Sequence, residues 1–230
     1  MKEGSNISIA TMVSLTIPIC SVLGFCYATG YYQELGCQWV ISLLTIQQII
    51  MHSAIVSFFF IIPMILVAGM LFSGIKFWKI LAGQTALNVL IAFFLFAGWL
   101  ISDLDRSLIG VVLSISIISL YASVVAHASV VFSTGRTHEF RESLIFSMIG
   151  MIVIIAASTH TGQSYARYQF INKDRFFPTI RNGTYGANQL LLSTAGTSFL
   201  IANMKDGKIA DFKLTSSIQS YAITTSKRPE

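Results

Sequence analysis

Long apolar runs separated by short polar breaks fill the first two thirds of the chain; beyond them the pattern changes. A helix needs roughly 20 mostly apolar residues to cross the hydrocarbon core of a bilayer, with a range of about 17–25. Five runs qualify, at about 7–29, 53–75, 80–101, 108–132 and 144–160. None carries Asp, Glu, Lys or Arg in its interior. The pattern predicts an α-helical polytopic membrane protein with about five transmembrane helices in a domain spanning 1–163. Pro18 and Pro63 fall inside the first two spans and predict kinks there. The start does not read as a cleavable signal peptide, because Lys2 is offset by Glu3 and four further spans follow.

Between the first two spans lies a different stretch. Tyr31-Tyr32-Gln33-Glu34-Leu35-Gly36 is polar and aromatic, as expected at a lipid–water boundary. Residues 39–50 are apolar but too short to cross, and Gln47, Gln48 and His52 interrupt them. They read as an interfacial or partly re-entrant helix leading into the second span, or as a plain extension of that span.

Residues 164–230 form a small C-terminal β-rich tail. Runs at 189–193 and 198–203 have strand character, and 208–214 alternates after Lys205-Asp206-Gly207. Asp-Gly is a strong hairpin signal. A further strand is expected at 220–224, and Asn182-Gly183 suggests a turn before the set. A meander of about four short strands is too small to hold a large core. It should lean on the membrane domain, a neighbouring tail or a partner.

Composition sharpens this reading. Hydrophobic residues make up 54 % of the 230 positions and charged residues only 11 %, against roughly 25 % in soluble domains. That excludes disorder, a coiled coil and an ordinary soluble enzyme. The net charge of +5 belongs wholly to the tail: residues 1–163 hold six basic and six acidic side chains, and 164–230 hold nine and four. The tail's basic residues are interspersed with acids in a strand pattern, so direct nucleic-acid binding is not expected.

Charge also orients the spans. Lys2, Lys76, Lys79, Arg136 and Arg141 share one side in a five-span layout, against Arg106 on the other. The positive-inside rule then places the N-terminus in the cytoplasm and the tail outside it. Arg167, Lys173, Arg175 and Arg181 near the tail's membrane exit pull the other way. Short loops weigh more, because long segments cross with less regard to charge.

Candidate chemistry is sparse. Cys20, Cys26 and Cys37 form no CxxC pair and read as small buried apolar residues. The four histidines lack metal-ligand spacing, and the motifs of phosphate-loop, dinucleotide, zinc-protease and serine-hydrolase enzymes are missing. The chain therefore reads as non-enzymatic, with no catalytic residue, no cofactor and no metal site expected. Ser116, Ser119, Ser123 and His127 recur at helical spacing and form an intramembrane polar stripe. Such a stripe faces other helices or water, as a packing seam or as a pore wall with a proton-sensitive histidine. Asn88 offers a lone interhelical hydrogen-bonding group. Asp103, Asp105 and Arg106 read as a solvated turn. The loop holding Arg136, His138, Glu139, Arg141 and Glu142 is the candidate docking surface for a soluble partner or anionic lipid.

The Tyr31 to Gly36 boundary element, the Gln47-Gln48-Ile49-Ile50 entry to the second span and the strand meander of 190–212 give a layout that resembles the membrane-subunit family of the bacterial Kiwa anti-phage defence system. The resemblance implies a homo-oligomeric, multi-pass sensor of the bacterial inner membrane. Such a sensor recruits a soluble cytoplasmic partner protein. No residue role is implied. A non-catalytic sensor or scaffold is the leading expectation. An immunity protein against a membrane-acting toxin and a small channel or transporter are the alternatives.

Overall fold

The computed structural model describes residues 9–102, 105–133, 137–181, 188–195, 198–205, 208–216 and 222–224. Side chains are described for 16–52, 54, 56–100, 105–131, 145–178, 189–194, 198–205 and 208–216. Five long helices come first: α1 (Ile9–Glu34), α2 (Ile46–Phe72), α3 (Phe77–Ser102), α4 (Arg106–Ser133) and α5 (Thr137–Ile171). A short α6 (Lys173–Phe176) leads into strands β1 (Thr179–Arg181), β2 (Asn188–Ala195), β3 (Ser198–Lys205), β4 (Lys208–Thr215) and β5 (Ala222–Thr224). Among the described residues, three helical stretches are long and apolar enough to cross a membrane: Phe77–Leu100, Arg106–Val131 and Ile145–Ile171. A fourth qualifies only as a bent pair, Ile46–His52 with Val56–Phe72.

The helices alternate in direction. Gln84 of α3 meets Ser119 and Ser123 of α4, and Phe77 at the start of α3 stacks on His127 near the end of α4. Ser114 of α4 meets His160 of α5, while Tyr121 of α4 donates to the Ser147 carbonyl. Both pairs are antiparallel. Helices α1 and α5 instead run side by side in one direction: the Ser158 hydroxyl donates to the Leu23 carbonyl, Tyr31 reaches Gln169, and Glu34 pairs with Arg167. Helix α5 packs along both α1 and α4, α2 packs on α1 and α4, and α3 touches mainly α4. Helix α3 therefore leaves Trp78, Phe93, Phe94 and Leu100 exposed.

Helices α1 and α5 cross backbone to backbone at two glycines. A Cβ on Gly30 would lie 2.8 Å from the Thr159 carbonyl carbon. One on Gly162 would lie 2.8 Å from the Tyr31 backbone nitrogen. Small residues let helix backbones approach this closely.

Helix α1 stops where its sequence says it should. Gly36 takes φ +79, its N–H donates to the Gln33 carbonyl at 3.1 Å, and the Cys37 N–H donates to the Tyr32 carbonyl at 2.9 Å. This is the Schellman arrangement, which glycine favours because it lacks a Cβ. A 3-10 turn, Gln38–Leu43, follows. Thr45 then opens α2 with a capping box: its side chain accepts from the Gln48 N–H, and the Gln48 carboxamide accepts from the Thr45 N–H.

Several expectations are sharpened by the structure. The stretch expected to be interfacial becomes the 3-10 turn plus the first limb of α2, set at 66° to the rest of that helix. The bend falls between His52 and Val56, ahead of Pro63, and Gln48 on the first limb is bonded to Thr194 of the tail. The helical part runs past residue 163 to Ile171. Residues 137–142, expected as loop, form the first turns of α5. Acidic residues near a helix N-terminus favour that outcome, and Glu139 and Glu142 stand there.

The tail is a five-stranded antiparallel sheet of order β4-β3-β2-β1-β5. Three strands lie where the alternation put them. The fourth expected strand, β5, pairs with β1 rather than continuing the meander. Strand β1 is three residues long and too short to show a period. Lys205 pairs with Lys208, so the two residues Asp206-Gly207 join β3 to β4. Charged side chains on β4, including Lys208 and Lys213, are exposed at the sheet edge, a common guard against further pairing. The tail leans on the helices: Leu190, Leu192, Leu200 and Ala202 belong to the same buried cluster as Leu23, Tyr31, Tyr32 and Val56.

Candidate functional site: the junction between sheet and bundle

A connected set of polar contacts forms where the sheet rests on the ends of α1, α2 and α5. Tyr32 is fully buried, and its hydroxyl lies 3.1 Å from His52 Nε2 and 3.0 Å from Ser193 Oγ. One phenol thus joins α1, α2 and β2; it can donate to one neighbour and accept from the other. Its ring meets Tyr31 edge-on at 5.3 Å and His52 edge-on at 5.6 Å, a preferred aromatic geometry. Beside it, the Gln48 carboxamide nitrogen donates to the Thr194 carbonyl at 3.2 Å. Tyr31 donates to Gln169 Oε1 at 2.7 Å, and Arg167 donates to Glu34 at 2.9 Å.

A β-bulge sets this geometry. The β2–β3 register shifts between Leu191 and Ser193, leaving Leu192 as the extra residue. Bulges re-aim side chains. Here Leu190 and Leu192 are buried while Ser193 meets Tyr32. The Leu191 N–H donates to the Pro178 carbonyl at 3.0 Å, tying the bulge to the chain leaving α6. A cavity of about 410 Å³ remains between the sheet and the helix ends, with Tyr27, Tyr165, His52, Phe177 and Thr194 among its walls.

The Cys37 thiol is pushed up to about 12 by burial, so it stays protonated and unreactive.

The residues expected from the sequence have other places. Ser119 Oγ accepts from the Gln84 carboxamide nitrogen at 2.8 Å, and the Ser123 hydroxyl donates to Gln84 Oε1 at 2.5 Å. His127 stacks on Phe77 at 4.0 Å, and Ser116 donates back to the Val112 carbonyl of its own helix. Three of the four stripe residues thus form a seam between α3 and α4. The Asn88 amide nitrogen is buried without a hydrogen-bond partner among the described residues. Asp105 caps α4, accepting from the Ser107 N–H at 2.9 Å, and the Arg106 guanidinium lies 5.0 Å from the centre of the Trp99 ring. Asp103 and Arg136 lie outside the described residues. His138, Glu139, Arg141 and Glu142 fall in the first turns of α5, where the backbone alone is described.

Sequence reasoning missed Gln84, His160 and the Tyr32–His52–Ser193 group. The signals available were the Tyr31-Tyr32 pair and a histidine interrupting an apolar run. Ser193 carried no local signal. Among the described residues, no group of three His, Cys, Asp or Glu side chains is placed to hold a metal. No protein-family model, curated protein or solved structure matches the chain.

Proposed function

We propose that the chain is a five-span protein of the bacterial inner membrane, acting as a non-catalytic sensor or scaffold in anti-phage defence. The three apolar helices and the bent fourth support membrane insertion. The path of α1 alongside α5 supports counting it as a span. The observation that carries the sensor reading is the junction: Tyr32 ties the sheet to α1 and to the bent entrance of α2. A disturbance of the outer leaflet that moves the sheet must then move the first limb of α2. Displacement of that limb biases the packing of α2 on α4, and the change reaches the opposite face where α4 ends and α5 begins. There Arg136, His138, Glu139, Arg141 and Glu142 dock a soluble cytoplasmic partner, in a homo-oligomer that presents several copies of the surface.

The test is affinity purification of the chain from bacterial membranes, with and without Arg136→Glu and Arg141→Glu. The expected result is a soluble protein that co-purifies with the wild type and is lost from the double variant, at equal membrane levels and oligomer size. Equal capture by both would exclude this surface as the docking site.

A further inference from the structure

The cavity beneath the sheet has a chemistry that fits one class of ligand. Its volume, about 410 Å³, lies within the roughly 300–1,000 Å³ of ligand pockets. Rings surround it: Tyr27 and Tyr31 from α1, His52 from α2, Tyr165 from α5, and Phe176 and Phe177 from the chain that follows. Tyr27 and Tyr31 lie nearly parallel at 6.3 Å, and Tyr165 closes the set at 6.4 Å from Tyr27. Among the described residues that line it, none is Asp, Glu, Lys or Arg. An anion would find no countercharge inside. Gln169 and Ser193 in the wall, bonded to Tyr31 and Tyr32, set polar oxygens beside the rings. Neutral rings with interspersed acceptor oxygens suit an ammonium group, because the negative faces of aromatic rings attract cations.

Basic side chains stand next to two of these wall residues in the chain. Lys173 and Arg175 sit on α6 immediately before Phe176 and Phe177, and Lys173 Nζ already lies 5.7 Å from the Phe170 ring centre. The Tyr31-Tyr32 level at the end of α1 is where lipid headgroups lie if the helices span a bilayer. We propose that the cavity takes the ammonium of a zwitterionic phospholipid headgroup, phosphoethanolamine, with its phosphate against Lys173 and Arg175. This assignment rests on the membrane reading above and names what the junction senses: a lipid headgroup wedged between sheet and bundle, whose loss loosens the sheet.

Native mass spectrometry of the purified full chain, titrated with phosphatidylethanolamine or phosphatidylglycerol, tests it. One phosphatidylethanolamine should be retained per chain in preference to phosphatidylglycerol. Tyr165→Phe should keep that affinity, while Tyr165→Leu should weaken it about tenfold. Lys173→Gln with Arg175→Gln should weaken it too, and leaves every side chain of the cavity wall in place. Equal retention of both lipids, or unchanged affinity in the Lys173 and Arg175 double variant, would overturn the proposal. Displacement of the lipid by soluble phosphoethanolamine at equal concentration would keep the ammonium site and overturn its lipid source. Extraction of the chain from cells without detergent would sink the membrane reading itself, a result separable from any affinity.

Discussion

Gly162→Ala is expected to destabilise the bundle by about 3 kcal/mol or more, and Gly30→Ala by a similar amount. At both positions the added methyl meets backbone on the neighbouring helix, not the tip of a flexible side chain. On Gly162 it would press on the Tyr27 carbonyl and sit 2.8 Å from the Tyr31 nitrogen. On Gly30 it would press on the Thr159 carbonyl. Relief requires α1 and α5 to separate along their shared length. That would lengthen the bond from Ser158 to the Leu23 carbonyl, now 2.7 Å and buried, and the Tyr31–Gln169 bond farther along. Gly83→Ala is the internal control, since nothing lies within 4 Å of its added Cβ. Thermal unfolding of the three variants in the same detergent measures the effect. A melting temperature for Gly162→Ala as high as that of Gly83→Ala would mean that the α1–α5 crossing is wrongly drawn.

Tyr32→Ala is expected to have the second large effect, about 3–5 kcal/mol. It removes a fully buried ring from the place where three elements meet and leaves a cavity beneath Ser193 and His52. Tyr32→Phe separates the two contributions. The ring stays and only the hydroxyl goes, so the loss falls to about 1–2 kcal/mol. The predicted phenotype is local: the sheet, which shares its core with the helix ends, should detach before the bundle unfolds. Limited proteolysis with trypsin reads this directly, with cleavage after Arg175 appearing in Tyr32→Ala while the helical fragment persists. Simultaneous loss of both parts would show that they unfold as one cooperative unit.

The helical part of this architecture was legible because its signal is local. Apolar runs of span length and three of the strands lie close to where the pattern put them. The junction was less legible, for a physical reason. Tyr32, His52 and Ser193 are separated by 20 and 161 positions from the group they meet, and no periodicity links a helix end to a bulge in a sheet. The stripe of Ser116, Ser119, Ser123 and His127 shows the complementary limit. Helical spacing placed it on one face of α4, yet its partners, Gln84 and Phe77, depended on which helix lay opposite. The bend in α2 illustrates the same point: Pro63 was the visible local signal, but the bend lies ahead of it, between a limb that meets Thr194 and Tyr32 and the rest of the helix.

The claim on which the functional account rests is that the C-terminal sheet is seated on the entrance of α2. Gln48 and Thr194 mark that contact, with the Gln48 nitrogen 3.2 Å from the Thr194 carbonyl. Cysteines at these two positions, with Cys20, Cys26 and Cys37 replaced by alanine, should be joined by a short thiol cross-linker in intact bacterial membranes. A pair joining position 48 to position 213, on the exposed edge strand, should not be. Efficient linkage of 48 to 194 alone is the predicted result; no linkage there, or equal linkage of both pairs, would contradict the account.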